Sequence, residues 1–369
     1  MNGVVSHTST VSPSTPGGDV SLTRESLSAC DNPVLHAYVE ETHLGKLMGT
    51  YVAAMRKGPR MHGSYVSPLD TGRTSMRAPT LQVLPRAVGV RECLVADPGR
   101  CLISVDVDKA ELVSLAQIIL ELFGESVLAD ALRNGVDPHC MVGAQIVGMS
   151  LEDFNRAYLG GDNTCGEARQ DGKPCNFGFS GGMGAAKFVS YYAGSGAGKT
   201  ITLEKAYALR NSWRRTWPDI VEYLAWIGRL SERSTSVKQF KSGRLRGGLS
   251  YCDMANGFFQ GLTADAMSEV LWELAKAQVL APGPAWRSPL VGSNTLVFVH
   301  DEVIVDAPIE RCHEVARAVQ DLVQTVYRRW TPDLPVTAGA TAMLRWSKKA
   351  KRKTNVYGEL IPWDLEQAA

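Results

Sequence analysis

Acidic residues stand at the ends of two apolar segments that have the composition of β-strands. The segment 296–306 contains Asp301 and Glu302 between two apolar runs, which predicts a hairpin with an acidic tip. Far upstream, the apolar strand 102–106 ends on Asp106. Two carboxylates at the ends of neighbouring strands can hold a pair of Mg²⁺ ions. Such a pair stabilises the attacking oxygen and the leaving oxygen of an in-line phosphoryl displacement. These residues therefore predict metal-assisted phosphoryl transfer.

A second set of residues lies between the acidic segments, where two cations and an aromatic residue follow one another at intervals of four. If this stretch is helical, Arg169, Lys173 and Phe177 share one face, where they could bind a triphosphate and stack on a base. Each feature alone has an ordinary interpretation, as a turn, a helix cap or a solvated face. All three in this order predict a nucleotide polymerase site.

The 369-residue chain has an ordinary globular composition, with 44% hydrophobic and 21% charged residues. Its net charge of +1 gives no general sign of nucleic-acid binding, so any such binding must depend on local clusters of cations. A solvated charged face is an equally good interpretation of any single cluster. Clusters occur at 210–215, 238–246, 328–329 and 345–353.

The eight cysteines are scattered without a C-x-x-C pair. This argues against a zinc site and against a disulfide framework, and it fits a reducing cytosol. No stretch approaches the length of a membrane span, and the N-terminus lacks an apolar signal core. The sequence therefore predicts a cytoplasmic protein with no membrane partner.

The apolar periodicity predicts strands and helices in an order typical of an α+β fold. The predicted elements are a strand at 102–106, a helix at 109–123, mostly helical structure at 126–235 interrupted by the Gly-rich stretch 178–198, a long helix at 262–279, a hairpin at 295–306, a helix at 309–330 and a strand at 335–344. Helical blocks inserted between the strands of one sheet indicate an α+β core with a helical subdomain.

Several motifs of the chain occur in the order found in the bacterial DNA polymerase I family (family A), and the chain most resembles its bacteriophage members. The resemblance extends from about Ser12 to Trp363. The motifs are Asp106-Val-Asp-Lys-Ala-Glu111-Leu, similar to D-Y-S-Q-I-E-L; Arg169-x3-Lys173-x3-Phe177-Gly178; His300-Asp301-Glu302; and, as shorter matches, Thr71-Gly-Arg73, Leu81-Gln82, Asp137-Pro-His139 and Asn256-x3-Gln260-Gly-x2-Ala264-Asp265.

The resemblance implies the right-hand fold of a polymerase. This is an α+β structure in which a palm with an antiparallel sheet carries a helical fingers insertion, and the thumb is expected to be largely absent. The implied domains are a flexible tail or thumb remnant at 1–30, the thumb base and first part of the palm at 31–125, the fingers at 126–250 and the second part of the palm at 251–369.

The same resemblance assigns catalytic roles. Asp106 and Asp301 would bind two Mg²⁺ ions per site, for which Mn²⁺ is expected to substitute, and the carbonyl of Val107 would complete the shell of one metal. Glu302 would lie beside the metals in a supporting role. Lys173 would donate a proton to the pyrophosphate that leaves.

Other implied roles concern the incoming dNTP and the primer–template DNA. Arg169, Lys173 and His139 would contact the triphosphate, and Phe177 would stack on the base or the sugar. Glu111 would fill the space that a 2′-hydroxyl needs, so that deoxynucleotides are selected. The expected DNA-binding residues are Arg73, Gln82, Asn256, Gln260 and His300.

Two positions depart from the pattern of the family. Gly181 stands four residues after Phe177, where a tyrosine usually packs near the sugar, so fidelity and sugar discrimination are expected to differ. Asp108 replaces the usual serine. Its type and position predict a helix N-cap, with an additional metal contact as the alternative.

The function implied is DNA-directed DNA polymerase activity in phage DNA replication, hence in the host cytoplasm. The sequence ahead of the match is too short for a 3′–5′ exonuclease domain, which predicts either a minimal enzyme or a split polymerase whose thumb and exonuclease form a separate chain. Two alternatives remain open at this point. One is a non-catalytic primer–template binding subunit that retains the fold, and the other is a single-subunit RNA polymerase, which Glu111 disfavours.

Overall fold

The computed structural model describes residues 27, 32–66, 69, 71–85, 89–195, 200–279 and 288–364. The predicted tail at 1–30 lies outside these residues, apart from Leu27. None of the helices in the described part of the chain is both long and apolar enough to cross a membrane.

The chain divides into two compact units, each assembled from two separate segments. The sheet unit comprises His62–Asp137 and Trp217–Ala369, and the helical unit comprises Met1–Met61 and Pro138–Thr216. The prediction of a thumb base, a two-part palm and fingers remains a prediction about functional subdomains.

The sheet unit combines strands with long helices. In chain order its elements are β1 (Ser64–Val66), β2 (Ser75–Arg77), β3 (Arg100–Val107), α2 (Ala110–Phe123), α3 (Val127–Arg133), α9 (Pro218–Ser231), β4 (Val237–Lys238), β5 (Leu245–Arg246), α10 (Tyr251–Val279), β6 (Asn294–Val299), β7 (Glu302–Pro308), α11 (Cys312–Trp330), β8 (Ala338–Met343), β9 (Lys353–Thr354) and β10 (Leu360–Ile361). The remaining labels, α1 and α4–α8, belong to the helical unit.

The central sheet has the strand order β6-β7-β3-β8, and every neighbouring pair is antiparallel. β3 lies between β7 and β8, and its residues from Cys101 to Val105 are buried. Such a nearly continuous apolar run suits a strand that is covered on both faces. The predicted α+β fold class is confirmed.

Three long helices pack together on the sheet unit. α11 packs on β3 and β8, while α10 packs against both α2 and α11. The hydroxyl of Tyr327 in α11 lies 2.8 Å from Ser114 Oγ and donates to the carbonyl of Ala110 across 3.0 Å, which fixes the start of α2. The inward face of α11 repeats every three or four residues, as expected for an amphipathic helix. Its buried valines are Val315, Val319, Val323 and Val326.

The long helix α10 begins at Tyr251, so the predicted start at 262 was wrong. Gly257 and Gly261 lie inside the missed part of this helix. A Cβ at Gly257 would collide with Arg246, and one at Gly261 with Gln239. These glycines therefore admit neighbouring polar side chains, and the sequence shows no apolar periodicity there.

The helical unit consists of α1 (Pro33–Lys46), which continues through a π-helical segment Leu47–Val52 and a last turn Ala53–Met55, and of α4 (Pro138–Val147), α5 (Leu151–Leu159), α6 (Asn163–Ser180), α7 (Ala185–Gly194) and α8 (Leu203–Thr216). α4 packs on α6 and α8, and α7 packs on α8. The Gly-rich stretch predicted to interrupt the helices thus contains α7, whose N-cap is Gly184 and whose last residue is Gly194.

Candidate active site

The sheet unit brings the two predicted metal-binding aspartates to the same end of its central sheet. Asp106 lies near the end of β3, where it pairs in register with Glu302 at the start of β7. Asp301 lies in the two-residue loop between β6 and β7, and its carbonyl accepts a hydrogen bond from the amide of Val107 across 3.2 Å. The first residue of this loop, His300, has φ of +59°, a conformation uncommon for residues other than glycine. The loop is therefore held in a costly geometry at the acidic tip.

The electrostatics of the pair suit a bound cation. Burial and the negative charge of Asp106 raise the pKa of Asp301 to about 7 from its ordinary value of 3.8. A divalent cation between the two carboxylates would relieve this repulsion. Mg²⁺ commonly uses one or two carboxylates together with water and substrate phosphates. Asp106 and Asp301 supply two carboxylates, so this donor set fits Mg²⁺ that is held jointly with a phosphate substrate.

Glu302, the third acidic residue of this region, is buried and held at both of its oxygens. Ser104 Oγ donates to its Oε1 across 2.5 Å, and Lys348 Nζ donates to its Oε2 across 2.6 Å. Neither partner was predicted from the sequence. Because Lys348 is 46 residues away along the chain, no local pattern indicates this contact.

A narrow cleft in the sheet unit contains two of the predicted DNA-binding residues. Arg73 forms an ion pair with Glu111, and burial together with the charge of Arg73 lowers the pKa of His300. Gln82 is buried and its Nε2 donates to the carbonyl of Phe298 across 3.1 Å. The cleft is lined by Gly72, Arg73, Thr74, Ala264, Ser268, Phe298 and His300.

Asn256 and Gln260 lie one turn apart on α10, which also supplies Ala264 and Ser268 to this cleft. Both side chains are half-buried. The Nδ2 of Asn256 donates to the carbonyl of Cys252 across 2.9 Å, within the same helix. The structure therefore places these two amides on the helix that lines the cleft.

The helical unit holds four of the five predicted nucleotide-binding residues, and the fifth, Glu111, lies in the sheet unit. Arg169, Lys173 and Phe177 follow one another at intervals of four along α6, as predicted. The guanidinium of Arg169 lies 5.5 Å from the centre of the Tyr158 ring, and Lys173 is exposed. His139, at the start of α4, has its ring centre 5.8 Å from that of Phe177. Four predicted residues are thus carried by two packed helices.

Close packing between α4 and α6 sets the position of His139. A Cβ at Gly172 would lie 2.6 Å from the carbonyl oxygen of His139, so only glycine permits this approach. Nδ2 of Asn176 lies 3.0 Å from Nδ1 of His139 and donates to the carbonyl of Pro138 across 3.1 Å. Asn176 was not predicted from the sequence as a site residue; the feature that could have indicated it is its position directly before Phe177.

The prediction that Asp108 caps a helix was wrong. The residue at the N-cap of α2 is Lys109, which has φ of +55° and makes no capping hydrogen bond with its side chain. Asp108 instead accepts a hydrogen bond from Thr337 Oγ1 across 2.8 Å. The Asp108 carboxylate is therefore hydrogen-bonded to the segment that precedes β8 and does not cap α2. Gly181 is the C-cap residue of α6 and is buried.

Comparison with known proteins supplies the family. Residues 6–348 match the profile of the family described as "DNA polymerase family A". The chain belongs to DNA polymerase family A. This confirms the family resemblance, whereas the bacteriophage type remains a prediction.

The relatives of this family A chain are longer than the chain itself. It is 26% identical to DNA polymerase I of Aquifex aeolicus over 75% of this chain and 44% of the relative, and 25% identical to DNA polymerase I of Pseudomonas aeruginosa over 94% of this chain and 36% of the relative. The POL domain of Pol1 from M. smegmatis, solved with DNA primer-template and dNTP, superposes with a TM-score of 0.71. That match covers 91% of this chain and 57% of the other, with 18% identity, and shows a shared fold.

Proposed function

We propose that this family A chain is a DNA-directed DNA polymerase that adds deoxynucleotides to a primer 3′-hydroxyl by two-metal-ion nucleotidyl transfer. The placement of Asp106 and Asp301 at one end of the sheet carries this proposal, because the negative charge of the exposed Asp106 acts on the half-buried Asp301 carboxylate, and a divalent cation would offset that repulsion. The solved POL domain with primer-template and dNTP supports the choice of substrates.

In this mechanism Asp106, Asp301 and the carbonyl of Val107 would hold the metals. Two bound Mg²⁺ ions would supply Lewis acidity that lowers the pKa of the primer hydroxyl and offsets charge on the pyrophosphate. Arg169 supplies a fixed positive charge to the triphosphate, and Lys173 donates the proton that the pyrophosphate needs as it leaves. His139 contacts the triphosphate, and Phe177 stacks on the incoming base or sugar.

Selection of the nucleotide and the primer is assigned to the cleft of the sheet unit and to the residues around it. Glu111 and Gln82 bond to residues that line the cleft, and Asn256 and Gln260 lie on the helix that forms part of its wall. Glu111 excludes a ribose hydroxyl, and its ion pair with Arg73 holds the carboxylate in place for that purpose. His300, Gln82, Asn256 and Gln260 contact the primer–template, where minor-groove acceptors are similar for all base pairs. Glu302 supports the hairpin beside the metals through its bonds to Ser104 and Lys348.

The biological setting is part of the proposal as well. We place the activity in phage DNA replication, within the host cytoplasm, and we retain a separate chain that supplies a thumb and a 3′–5′ exonuclease as a partner. Co-purification from the native source tests the partner: stimulation of extension by such a chain is expected, and no associated polypeptide would contradict it.

Primer extension by the purified chain tests the activity. With a primer–template, dNTPs and Mg²⁺ at low salt, we expect extension that Asp301→Asn lowers by about 10³-fold. Asp301→Asn preserves side-chain size, and a thermal melt confirms that the variant is folded. DNA binding without extension by the wild type would instead favour the non-catalytic binding subunit. Extension with rNTPs at equal efficiency would favour an RNA polymerase.

A further inference from the structure

An exposed run of cations follows β8 and begins beside the β6–β7 hairpin. We name Lys348, Lys349, Lys351, Arg352 and Lys353 the basic strip; all five are exposed. The sequence contains no Asp or Glu between Asp333 and Glu359. The strip and Arg345 together carry six positive charges. Because the whole chain has a net charge of only +1, the remainder of the chain has a net charge of −5. The positive charge is therefore strongly localised.

The segment that precedes the strip is anchored firmly. Trp346 is buried, its amide donates to the carbonyl of Leu94 across 2.9 Å, and the Arg91 guanidinium lies 4.8 Å from the centre of its ring. Ser347 Oγ then donates to Glu92 across 2.8 Å. A solvated charge run on a free tail would lack such anchors. These contacts hold the cations at a defined place on the sheet unit.

Lys348 links the strip directly to the proposed active site, because its Nζ lies 2.6 Å from Glu302 Oε2. Glu302 follows Asp301 in the chain. The residues from Lys349 to Lys353 come directly after Lys348, so their Cα atoms lie within about 18 Å of its Cα. Along one strand of B-DNA this length corresponds to roughly five nucleotides.

We infer that the basic strip binds the phosphate backbone of the duplex part of the primer–template, close to the primer end. This rests on the proposed function, which brings the primer 3′-end to Asp301. The carboxylates near the strip are already engaged: Glu92 accepts from Ser347, Glu302 from Lys348, and Glu359 from Asn355 Nδ2 across 2.8 Å. Lys349, Lys351 and Arg352 form no ion pair with the described residues, so their charges are available to phosphates.

The test is equilibrium binding of a fluorescent hairpin duplex with a 5′ overhang over a series of salt concentrations. The strip variant is Lys349→Gln, Lys351→Gln and Arg352→Gln combined, with Lys348 retained because it holds Glu302. We expect the plot of log affinity against log salt to become shallower by about 2 to 3, and Kd at about 100 mM salt to rise at least about tenfold. Extension at saturating DNA should keep its rate.

A matched control removes the same charge elsewhere in the sheet unit. Arg229, Arg233 and Arg317 are also exposed and form no ion pair within the described part of the chain. Their combined change to Gln should leave the salt slope unaltered. A charge-preserving variant, Lys349→Arg with Lys351→Arg and Arg352→Lys, should restore wild-type binding.

An unchanged slope and Kd in the strip variant would overturn the inference, as would an equal loss in the control variant. A loss confined to single-stranded DNA would also contradict it. Because the readout is binding, it is independent of catalysis: absence of extension by the wild type would refute the proposed polymerase activity while leaving the binding comparison intact.

Discussion

The guanidinium of Arg73 donates a hydrogen bond to the carboxylate of Glu111, joining two residues that are 38 positions apart. Arg73 belongs to the cleft beside His300, and Glu111 lies in the first turn of α2. Each residue was assigned a different role from the sequence, one toward DNA and the other toward the sugar. Their contact indicates that the two roles are coupled.

Loss of Arg73 should therefore weaken sugar discrimination. In Arg73→Met the carboxylate of Glu111 loses its fixed partner and can move away from the ribose hydroxyl, so we expect the kcat/KM ratio of dNTP to rNTP to fall about tenfold, which corresponds to about 1.4 kcal/mol. The ratio is measured on one primer–template, so weaker DNA binding affects both nucleotides alike. In a Glu111→Ala background Arg73→Met should have no further effect on the ratio; an additive effect would show that the residues act separately.

The raised pKa of Asp301 predicts a pH-dependent cost to stability. Because the folded protein binds this proton up to about pH 7 while the unfolded chain releases it near 3.8, stability should decline as the pH rises through that window. Asp301→Asn removes the free-energy cost of ionising this half-buried carboxyl group beside Asp106. Without divalent ions, the variant should melt a few degrees higher than wild type at pH 8, with a smaller gain at pH 5. Saturating Mg²⁺ should reduce the difference, and an equal gain at both pH values would contradict the assignment.

Breaking the contact between Lys348 and Glu302 should destabilise the sheet unit. Lys348→Met leaves a buried carboxylate with only Ser104 as a donor, and we expect the free energy of unfolding to fall by about 1–3 kcal/mol. Urea unfolding measures this quantity. The double variant Lys348→Met with Glu302→Gln should recover part of the loss, because the neutral amide needs no charged partner. A double variant that loses the sum of both single effects would argue against a direct interaction.

Two glycines of α6 provide a matched pair for the packing of the helical unit. Gly172→Ala should lower the free energy of unfolding by about 1–3 kcal/mol, since its Cβ would lie 2.6 Å from the carbonyl oxygen of His139. Gly166→Ala, on the same helix with no atom within 4 Å of its Cβ, should raise stability by about 0.5–1 kcal/mol. Denaturant titrations of both variants measure whether the free energy of unfolding falls in Gly172→Ala and rises in Gly166→Ala. Equal effects would mean that α4 and α6 tolerate separation.

The sequence allowed prediction of those parts of the fold that repeat locally. The β6–β7 hairpin, β3 and α11 follow directly from apolar periodicity, as the regular valines of α11 illustrate. The start of α10 was missed because Gly257 and Gly261 serve packing against Arg246 and Gln239, which lie on neighbouring segments. Apolar periodicity indicates which side of a helix is buried. It does not indicate which neighbouring side chain packs against a glycine of that helix.

The candidate site was predictable in its residues and less so in their partners. Asp106, Asp301 and the spacing along α6 could be identified from the motifs, because short motifs preserve the residue types that the chemistry needs. The capping role of Asp108 was wrong, since Thr337 takes its carboxylate. Ser104 and Lys348 could not be assigned to Glu302 either, because contacts across the sheet depend on the strand order, which a single sequence does not specify.

The position of β3 in the middle of the sheet also has a consequence for synthesis of the chain. β3 ends at Val107, whereas its neighbour β8 is complete only at Met343. At about 5–20 residues per second, a ribosome needs roughly 12–50 s to make the 236 residues in between. The apolar strand has no partner on either edge until β7 is complete at Pro308, and the edge that pairs with β8 stays open until Met343. Newly made β3 is therefore a segment that we expect chaperones to protect from aggregation during translation.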